Sequence, residues 1–176
     1  MKKNGFVPLV VIVFLGLLVV FIFPPVKTVA RQFDPMNATY TIGNMRVALE
    51  NGSAQIEAAP GSASKIVTRV FGGLAVGDIN GDHIPDAAFI LAQDLGGSGT
   101  FYYTVAALNT IRGAKGTNAI LLGDRIAPKS LEIRNGKVIV NYAQRRWGEP
   151  MTAGPSVETS KHMIVRGSTL ETYAAD

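Results

Sequence analysis

Hydrophobic residues follow two different patterns along this chain. Phe6 to Phe23 form an unbroken run of eighteen residues with no charged or strongly polar side chain. Beyond residue 38, apolar and polar positions alternate in short stretches. No later window keeps the helical period of about 3.6 residues over about ten positions. The pattern therefore predicts one long apolar segment followed by a domain of short strands.

The apolar run predicts a transmembrane helix over residues 6–23. Eighteen helical residues span about 27 Å, close to the roughly 30 Å of a hydrocarbon core. The stub at residues 1–5 is short and carries Lys2 and Lys3, which favours an N-terminus inside the cytoplasm. We therefore expect a single-pass membrane protein whose C-terminal part lies outside the cytoplasm. Cleavage as a signal peptide near Thr28-Val29-Ala30 is the open alternative.

Short strands and turns fill the rest of the sequence. Residues 24–38 carry three prolines and no lasting period, which indicates a linker. Residues 39–176 then form the predicted extracytoplasmic domain. The clearest element is a hairpin, with strands at 130–134 and 137–142 around the turn dipeptide Asn135-Gly136. Alternation and β-branched content predict further strands at 40–42, 45–50, 65–71, 87–92, 100–108, 119–122 and 160–165.

These elements predict a mainly β fold, or a β-rich α+β fold, of about six to eight strands. Successive strands joined by short turns favour an antiparallel sandwich or barrel-like domain.

The composition of the chain excludes several kinds of functional site. The chain has 17 Lys and Arg, 13 Asp and Glu, and no Cys. A disulfide framework, a thiolate zinc site and a cysteine nucleophile are therefore excluded. The small basic excess gives no reason to expect a nucleic-acid partner. The expected partners are the lipid bilayer, through residues 6–23, and an unidentified envelope or surface component.

Oxygen-bearing side chains are concentrated in one segment, which we call the acidic loop (residues 78–86). Asp78, Asn80, Asp82 and Asp86 occupy its first, third, fifth and ninth positions, and the carbonyl of Ile84 stands at the seventh. Calcium is a hard cation that takes about six to eight oxygen ligands. The spacing therefore predicts a structural Ca²⁺ site. The alternative is a turn that caps itself by hydrogen bonds to its own amides.

Residues 72–89 resemble the calcium loop of FG-GAP repeats, in which a D-x-[DN]-x-D-x-x-x-D segment joins two strands. The resemblance implies that Asp78, Asn80, Asp82 and Asp86 are the side-chain ligands. His83 stands where those loops usually have glycine, which puts the backbone angles of the loop in question. The motif occurs once, whereas a propeller needs at least about four blades, so the resemblance does not extend to a propeller fold.

A second resemblance covers most of residues 39–166. It rests on Gly97–Tyr103 (GSGTFYY), Leu121–Ile126 (LLGDRI), Gly136–Val140 (GKVIV) and Gly148–Met151 (GEPM). These runs look like those of bacterial membrane-tethered or secreted domains of unassigned activity. The resemblance implies the extracytoplasmic location and the β-rich class, and it implies no chemistry.

Catalytic machinery is not recognisable in the sequence. The two histidines, His83 and His162, have no nucleophile motif nearby, and Ser98 lies in a glycine-rich turn rather than a nucleophile elbow. We therefore expect a binding or structural module without catalysis. The alternative is a cell-envelope enzyme or enzyme inhibitor, which would require His83, Asp124 and Arg125 to line one cleft.

Arg145, Arg146 and Trp147 form a basic-aromatic stretch within the predicted loop at residues 145–155. Such a stretch could bind an acidic partner, a glycan or lipid headgroups. The alternative, which the pattern favours, is a surface loop with Trp147 tucked against the edge of the domain.

Overall fold

The computed structural model describes residues 10–14, 17–21, 32–150 and 152–173. It divides the chain into two compact units, residues 1–30 and 31–176. In the first unit, strands β1 (Val10–Phe14) and β2 (Leu17–Phe21) pair antiparallel.

These two strands occupy part of the segment for which the sequence predicts a membrane helix. Valine, isoleucine and phenylalanine favour extended backbone, whereas a bilayer imposes a helix on a single apolar segment. The described residues include no helix with the length and hydrophobicity of a membrane span. The other residues of 6–23 lie outside the described part, and the anchor stays a prediction.

The second unit is built from strands joined by turns. After a short 3-10 turn at Pro35–Asn37, twelve strands follow within residues 39–173. They are β3 (Thr39–Ile42), β4 (Met45–Ala48), β5 (Ser53–Glu57), β6 (Lys65–Gly77), β7 (Asp86–Asp94), β8 (Thr100–Thr110), β9 (Gly113–Gly116), β10 (Ile120–Asp124), β11 (Ala127–Arg134), β12 (Lys137–Gln144), β13 (Val157–Arg166) and β14 (Thr169–Tyr173).

The strands of this unit form two sheets and a separate hairpin. One sheet has six strands in the order β10-β8-β7-β6-β5, with β9 also pairing with β8. The other is a four-stranded meander in the order β11-β12-β13-β14, and β3 pairs with β4. All of these strand pairs are antiparallel. The predicted mainly β class with antiparallel sheets is therefore confirmed.

β7 is the middle strand of the six-stranded sheet, and it is buried on both faces. Ala88 and Ile90 join one core cluster with Val138, Val140 and Met163 of the meander. The alternate residues of β7, Phe89 and Leu91, join a second cluster with the β3–β4 hairpin and β8, which includes Tyr40, Val47, Val105 and Ala107. Because successive side chains point to opposite faces, a strand buried on both sides reads as a continuous apolar run.

Two expectations about the extent of the domain are corrected. The strand number exceeds six to eight, because short strands such as β5, β9 and β14 carry little alternation. The folded unit also begins before Thr39: Phe33 packs against the second core cluster, and Asp34 caps the 3-10 turn by accepting the Met36 amide at 3.0 Å. The last part of the predicted linker is therefore folded onto the domain.

Candidate functional site

The acidic loop connects β6 to β7 at one end of the six-stranded sheet. Gly81 and His83 both adopt positive φ, of +82° and +65°. His83 thus takes the left-handed conformation that glycine adopts most easily. Asp86, the first residue of β7, is completely buried. The loop is therefore a tight connection with one end fixed in the sheet.

Loop amides engage the oxygen atoms of the loop's side chains. Asp78 accepts the amides of Gly81 at 2.7 Å and His83 at 2.9 Å. Asp82 accepts the Ile84 amide at 2.8 Å, and Asn80 accepts the Asp82 amide at 2.9 Å. These bonds are the self-capping arrangement that Asp and Asn side chains make in turns.

Asp86 ties the loop to two strands. One of its carboxylate oxygens accepts the Ile79 amide at 3.1 Å, and the other accepts the Asn109 amide at 2.8 Å. The Asn109 side chain also donates to the Pro85 carbonyl at 3.2 Å. The buried carboxylate therefore joins the start of β7, the loop and the end of β8.

The two aspartates that bracket the loop have pKa values shifted in opposite directions. Burial raises the pKa of Asp86, and the neighbouring charges of Asp82 and Asp78 act in the same direction. At Asp78, burial alone would raise the pKa, but the amides of His83 and Gly81 outweigh it and the net pKa is lowered. The loop thus combines a carboxylate that holds its proton more tightly with one that releases it more readily.

The loop supplies the oxygen atoms that a hard cation prefers, but its side chains are not arranged around one point. Carboxylate and amide oxygens are the ligands that Ca²⁺ prefers, and a carboxylate oxygen that accepts one N–H keeps a second lone pair. Within the described residues, however, no three Asp, Glu or His side chains converge as a metal-binding group would. A calcium ion would have to re-aim Asp78, Asn80 and Asp82 toward one point.

A second site lies at the opposite end of the same sheet, and we call it the Trp147 corner (Asp124, Arg125 and residues 145–149). Asp124 accepts the Thr100 amide at 3.0 Å and two Arg125 guanidinium donors at 3.0 and 2.8 Å. The Arg125 guanidinium holds the pKa of Asp124 below its ordinary range. Arg125 itself adopts a φ of +47°.

Arg145 is an internal brace of this corner. Its Nε donates to the Ala153 carbonyl at 2.6 Å, and its Nη1 donates to the Arg125 carbonyl at 3.4 Å. The sequence grouped Arg145 with Arg146 and Trp147 as candidate partner contacts. The structure separates them, because the Arg145 guanidinium is bonded to the chain's own backbone.

Trp147 projects from a closed turn. The Glu149 amide donates to the Arg146 carbonyl at 3.1 Å, and the Arg146 amide donates to the Glu149 carboxylate at 3.0 Å. Gly148 takes the positive φ, +82°, that the third position of a type II turn requires. The side chain is fully exposed (100%). The interpretation that Trp147 is tucked against the domain edge is wrong, because this turn points it outward.

His83, Asp124 and Arg125 do not share a cleft. Asp124 is in register with Phe101 at the start of β8, whereas the acidic loop is bonded to Asn109 near its end. Eight residues of strand separate these two positions by about 26 Å. The arrangement that the enzyme alternative requires is therefore not formed.

One contact that the sequence did not suggest is that of Ser160 with His162, whose Oγ and Nε2 lie 3.1 Å apart on β13. The described residues offer His162 no carboxylate within ion-pairing distance. The third member of a nucleophile–base–orienter set is thus missing from this pair.

Comparison of the chain with known proteins gives no relative from which to carry over a function. No family model matches it, no curated protein matches it, and no solved structure matches it. The two resemblances noted in the sequence stay predictions.

Proposed function

We propose that the chain is a membrane-anchored extracytoplasmic binding module, in which residues 6–23 hold the domain at the bilayer and the Trp147 corner contacts a partner. The observation that carries this proposal is the full exposure of Trp147 on a braced turn. Tryptophan is among the residues most enriched at the energetic centres of protein interfaces. Leaving it in water forgoes the burial of a large apolar surface.

The bonding around the turn supports a role in recognition. Arg145 and Glu149 fix the backbone on either side of Trp147. A contact residue presented by a fixed turn loses little conformational freedom on binding. The Arg146 side chain accompanies Trp147 on the same turn and is exposed. An aromatic ring beside a guanidinium suits an acidic partner.

Cross-linking in intact cells tests the proposal. A photo-reactive phenylalanine analogue is placed at position 147 of the full-length chain. Ile111 is the matched control position, since it is 86% exposed and lies beyond the far end of β8. We expect a discrete adduct from position 147 and none from position 111. The same adduct from both positions, or no adduct from position 147, would contradict the proposal.

Location and anchoring have a separate test. Protease added to cells whose inner membrane alone is kept intact should degrade the domain, and mass spectrometry of the protein should find residues 6–23 still attached. A domain that is digested only after the inner membrane is opened would contradict the extracytoplasmic placement. Loss of about thirty N-terminal residues would identify a cleaved signal peptide instead.

We further propose that the acidic loop binds Ca²⁺ as a structural ion, with Asp78, Asn80, Asp82 and Asp86 as side-chain ligands and Ile84 contributing its carbonyl. The four oxygen-bearing side chains on one short loop support this proposal. Calcium at about 100 times its dissociation constant would stabilise the fold by about 2.7 kcal/mol. Melting curves with calcium and with chelator should differ for the wild type and coincide for Asp82→Ala. Coincident wild-type curves at millimolar calcium would leave the loop as a self-capped turn.

A further inference from the structure

A groove with a strongly basic lining lies between the β3–β4 hairpin and the turn that joins β8 to β9. Its volume is about 580 Å³. Arg46 of β4, Arg112 of the turn and Lys115 of β9 line it, together with the threonines at positions 39, 41 and 110. No acidic residue is among its lining residues. We call this feature the basic groove.

The three cations of the basic groove are not used by the fold. Within the described residues, Arg46, Arg112 and Lys115 form no ion pair, and their side chains donate no hydrogen bond. Most other described basic side chains are engaged in ion pairs, in hydrogen bonds to backbone carbonyls or, for Lys137, over the Tyr173 ring. Unused positive charge is therefore concentrated at this place.

The walls of the groove are fixed by backbone contacts. A Cβ at Gly116 would lie 2.3 Å from the Thr39 carbonyl oxygen, so glycine is what allows β9 to approach β3. The Thr41 amide donates to the Thr117 carbonyl at 3.2 Å. The Thr110 hydroxyl closes the turn by donating to the Gly113 carbonyl at 2.7 Å. A site whose walls are already in place binds with a smaller loss of conformational entropy.

The lining chemistry defines the ligand. Guanidinium groups recognise phosphate oxygens in a fork geometry, and an ammonium adds a point charge. Thr39 and Thr41 line the same groove, and threonine hydroxyls can donate to further oxygens. No aromatic residue lines it, so it offers no stacking platform for a nucleobase or a sugar ring. Its volume falls in the range of about 300–1,000 Å³ typical of small-molecule sites. Its three cations exceed the charge of about −2 that one phosphate group carries.

We propose that the basic groove binds a soluble anion that carries several phosphate groups. This inference is independent of the Trp147 corner. The groove includes Thr110 and Arg112, whereas the corner is bonded to Thr100, the first residue of β8. Ten residues of strand place the two sites about 33 Å apart. A negative cross-linking result at position 147 would not contradict binding at the basic groove. A failure of the basic groove to bind would likewise not contradict the role of the Trp147 corner.

Calorimetric titration of the full-length protein, kept in an uncharged detergent, tests this assignment with inorganic tripolyphosphate as the probe. We expect one binding site, with an affinity that falls as salt concentration rises. Arg46→Gln and Lys115→Gln should each weaken binding about tenfold, the loss expected for one charge-assisted hydrogen bond. Both side chains are exposed, so the substitutions leave the core intact.

Two matched arms make the test decisive. Arg69→Gln removes a basic side chain that is also exposed and unpaired in the described residues but lies outside the groove, and it should leave affinity unchanged. Citrate, a carboxylate anion of comparable charge, should bind at least tenfold more weakly than tripolyphosphate. Absence of heat at millimolar tripolyphosphate would overturn the proposal. An equal loss in Arg69→Gln would overturn the groove as the site, and equal binding of citrate would overturn phosphate as the ligand class.

Discussion

The acidic loop and the Trp147 corner lie at opposite ends of β8, and each is organised around an aspartate. Asp86 is fully buried and is satisfied only by backbone amides, those of Ile79 and Asn109. Asp124 is partly exposed and is held mainly by the Arg125 guanidinium. The comparison shows that an aspartate carboxyl group can have two structural roles. At Asp86 it joins strands by accepting backbone amides, and at Asp124 it forms half of an ion pair. Burial and a nearby cation shift its pKa in opposite directions.

The largest expected effect comes from removing the buried connector. Asp86→Ala would leave the amides of Ile79 and Asn109 without acceptors inside the protein. An unsatisfied buried donor costs about 1–3 kcal/mol, so we expect the free energy of unfolding to fall by about 3 kcal/mol. Urea denaturation measures it. Asp82→Ala is the control when both variants are measured with a calcium chelator present, because Asp82 is exposed and its bonds lie within the loop; a loss there as large as in Asp86→Ala would contradict the connector role.

The second prediction concerns pH at the other aspartate. The pKa of Asp124 is lowered in the folded state, so the ionised carboxylate stabilises the fold above its unfolded pKa of about 3.9. That contribution is lost as the pH falls through the lower, folded pKa. Asp124→Asn should therefore be less stable than the wild type by about 1 kcal/mol at pH 7, and the two stabilities should converge in acid. Denaturation at several pH values measures the difference.

Asp86 should show the opposite dependence. Because its pKa is raised in the folded state, the folded protein binds this proton more readily than the unfolded chain does. The contribution of Asp86 to stability should increase as the pH falls through its folded pKa.

If Asp124→Asn kept a constant stability difference from pH 7 into acid, the ion pair with Arg125 would not be the source of the Asp124 effect.

Glycine substitutions at two residues with positive φ, one in each site, extend the comparison to the backbone. His83 and Arg125 both hold a positive φ, but the His83 side chain is 97% exposed and meets only Asp78, at 3.7 Å. His83→Gly should relieve the strained conformation and raise the free energy of unfolding by about 0.5 kcal/mol. Arg125→Gly should lower it by about 1 kcal/mol, since the bonds to Asp124 are lost. Thermal melting of both variants gives the signs, and equal signs would contradict the comparison.

Local turn chemistry was predictable from the sequence, whereas strand pairing was only partly so. Asn135-Gly136 adopts φ values of +51° and +71° and closes the predicted hairpin, with Arg134 in register with Lys137. Asn51 and Gly52 adopt nearly the same angles, +51° and +80°. There, however, the turn closes a single antiparallel bridge, between Glu50 and Ser53, and the flanking strands then part: β4 pairs with β3, and β5 pairs with β6. The same dipeptide closes a full hairpin in one place and a one-bridge turn between two layers in the other.

The burial of the flanking strands decides between these two outcomes, and a turn dipeptide carries no information about that burial. Val47 belongs to the second core cluster with Tyr40, so β4 remains over the six-stranded sheet while the chain moves on. The Asn118 side chain gives another example, since it receives the Leu170 amide at 2.7 Å and donates to the Leu170 carbonyl at 2.9 Å. Fifty-two positions separate these residues in sequence. No local pattern could indicate that pairing.

The candidate sites also differ in how far the sequence could predict them. The acidic loop is contiguous, so its residue set could be read directly from Asp78 to Asp86. The basic groove draws Arg46, Arg112 and Lys115 from β4, the β8–β9 turn and β9, and no spacing rule connects them. The Trp147 corner is intermediate: Arg145, Arg146 and Trp147 are adjacent in the sequence and could be predicted together, but only the hydrogen bonds separate the brace, Arg145, from the exposed Trp147 and join it to Arg125.

The smallest expected effect on stability is at Trp147, and it distinguishes a contact residue from a structural one. Because the side chain is fully exposed, Trp147→Ala should change the free energy of unfolding by less than about 0.5 kcal/mol. Arg145→Ala, two positions earlier, should cost about 1–2 kcal/mol, since its bonds to the Ala153 and Arg125 carbonyls are lost. Urea denaturation compares the two variants directly. A Trp147→Ala variant destabilised as much as Arg145→Ala would mean that the ring packs against the domain in solution, and the turn would then lose its claim to be a presented contact surface.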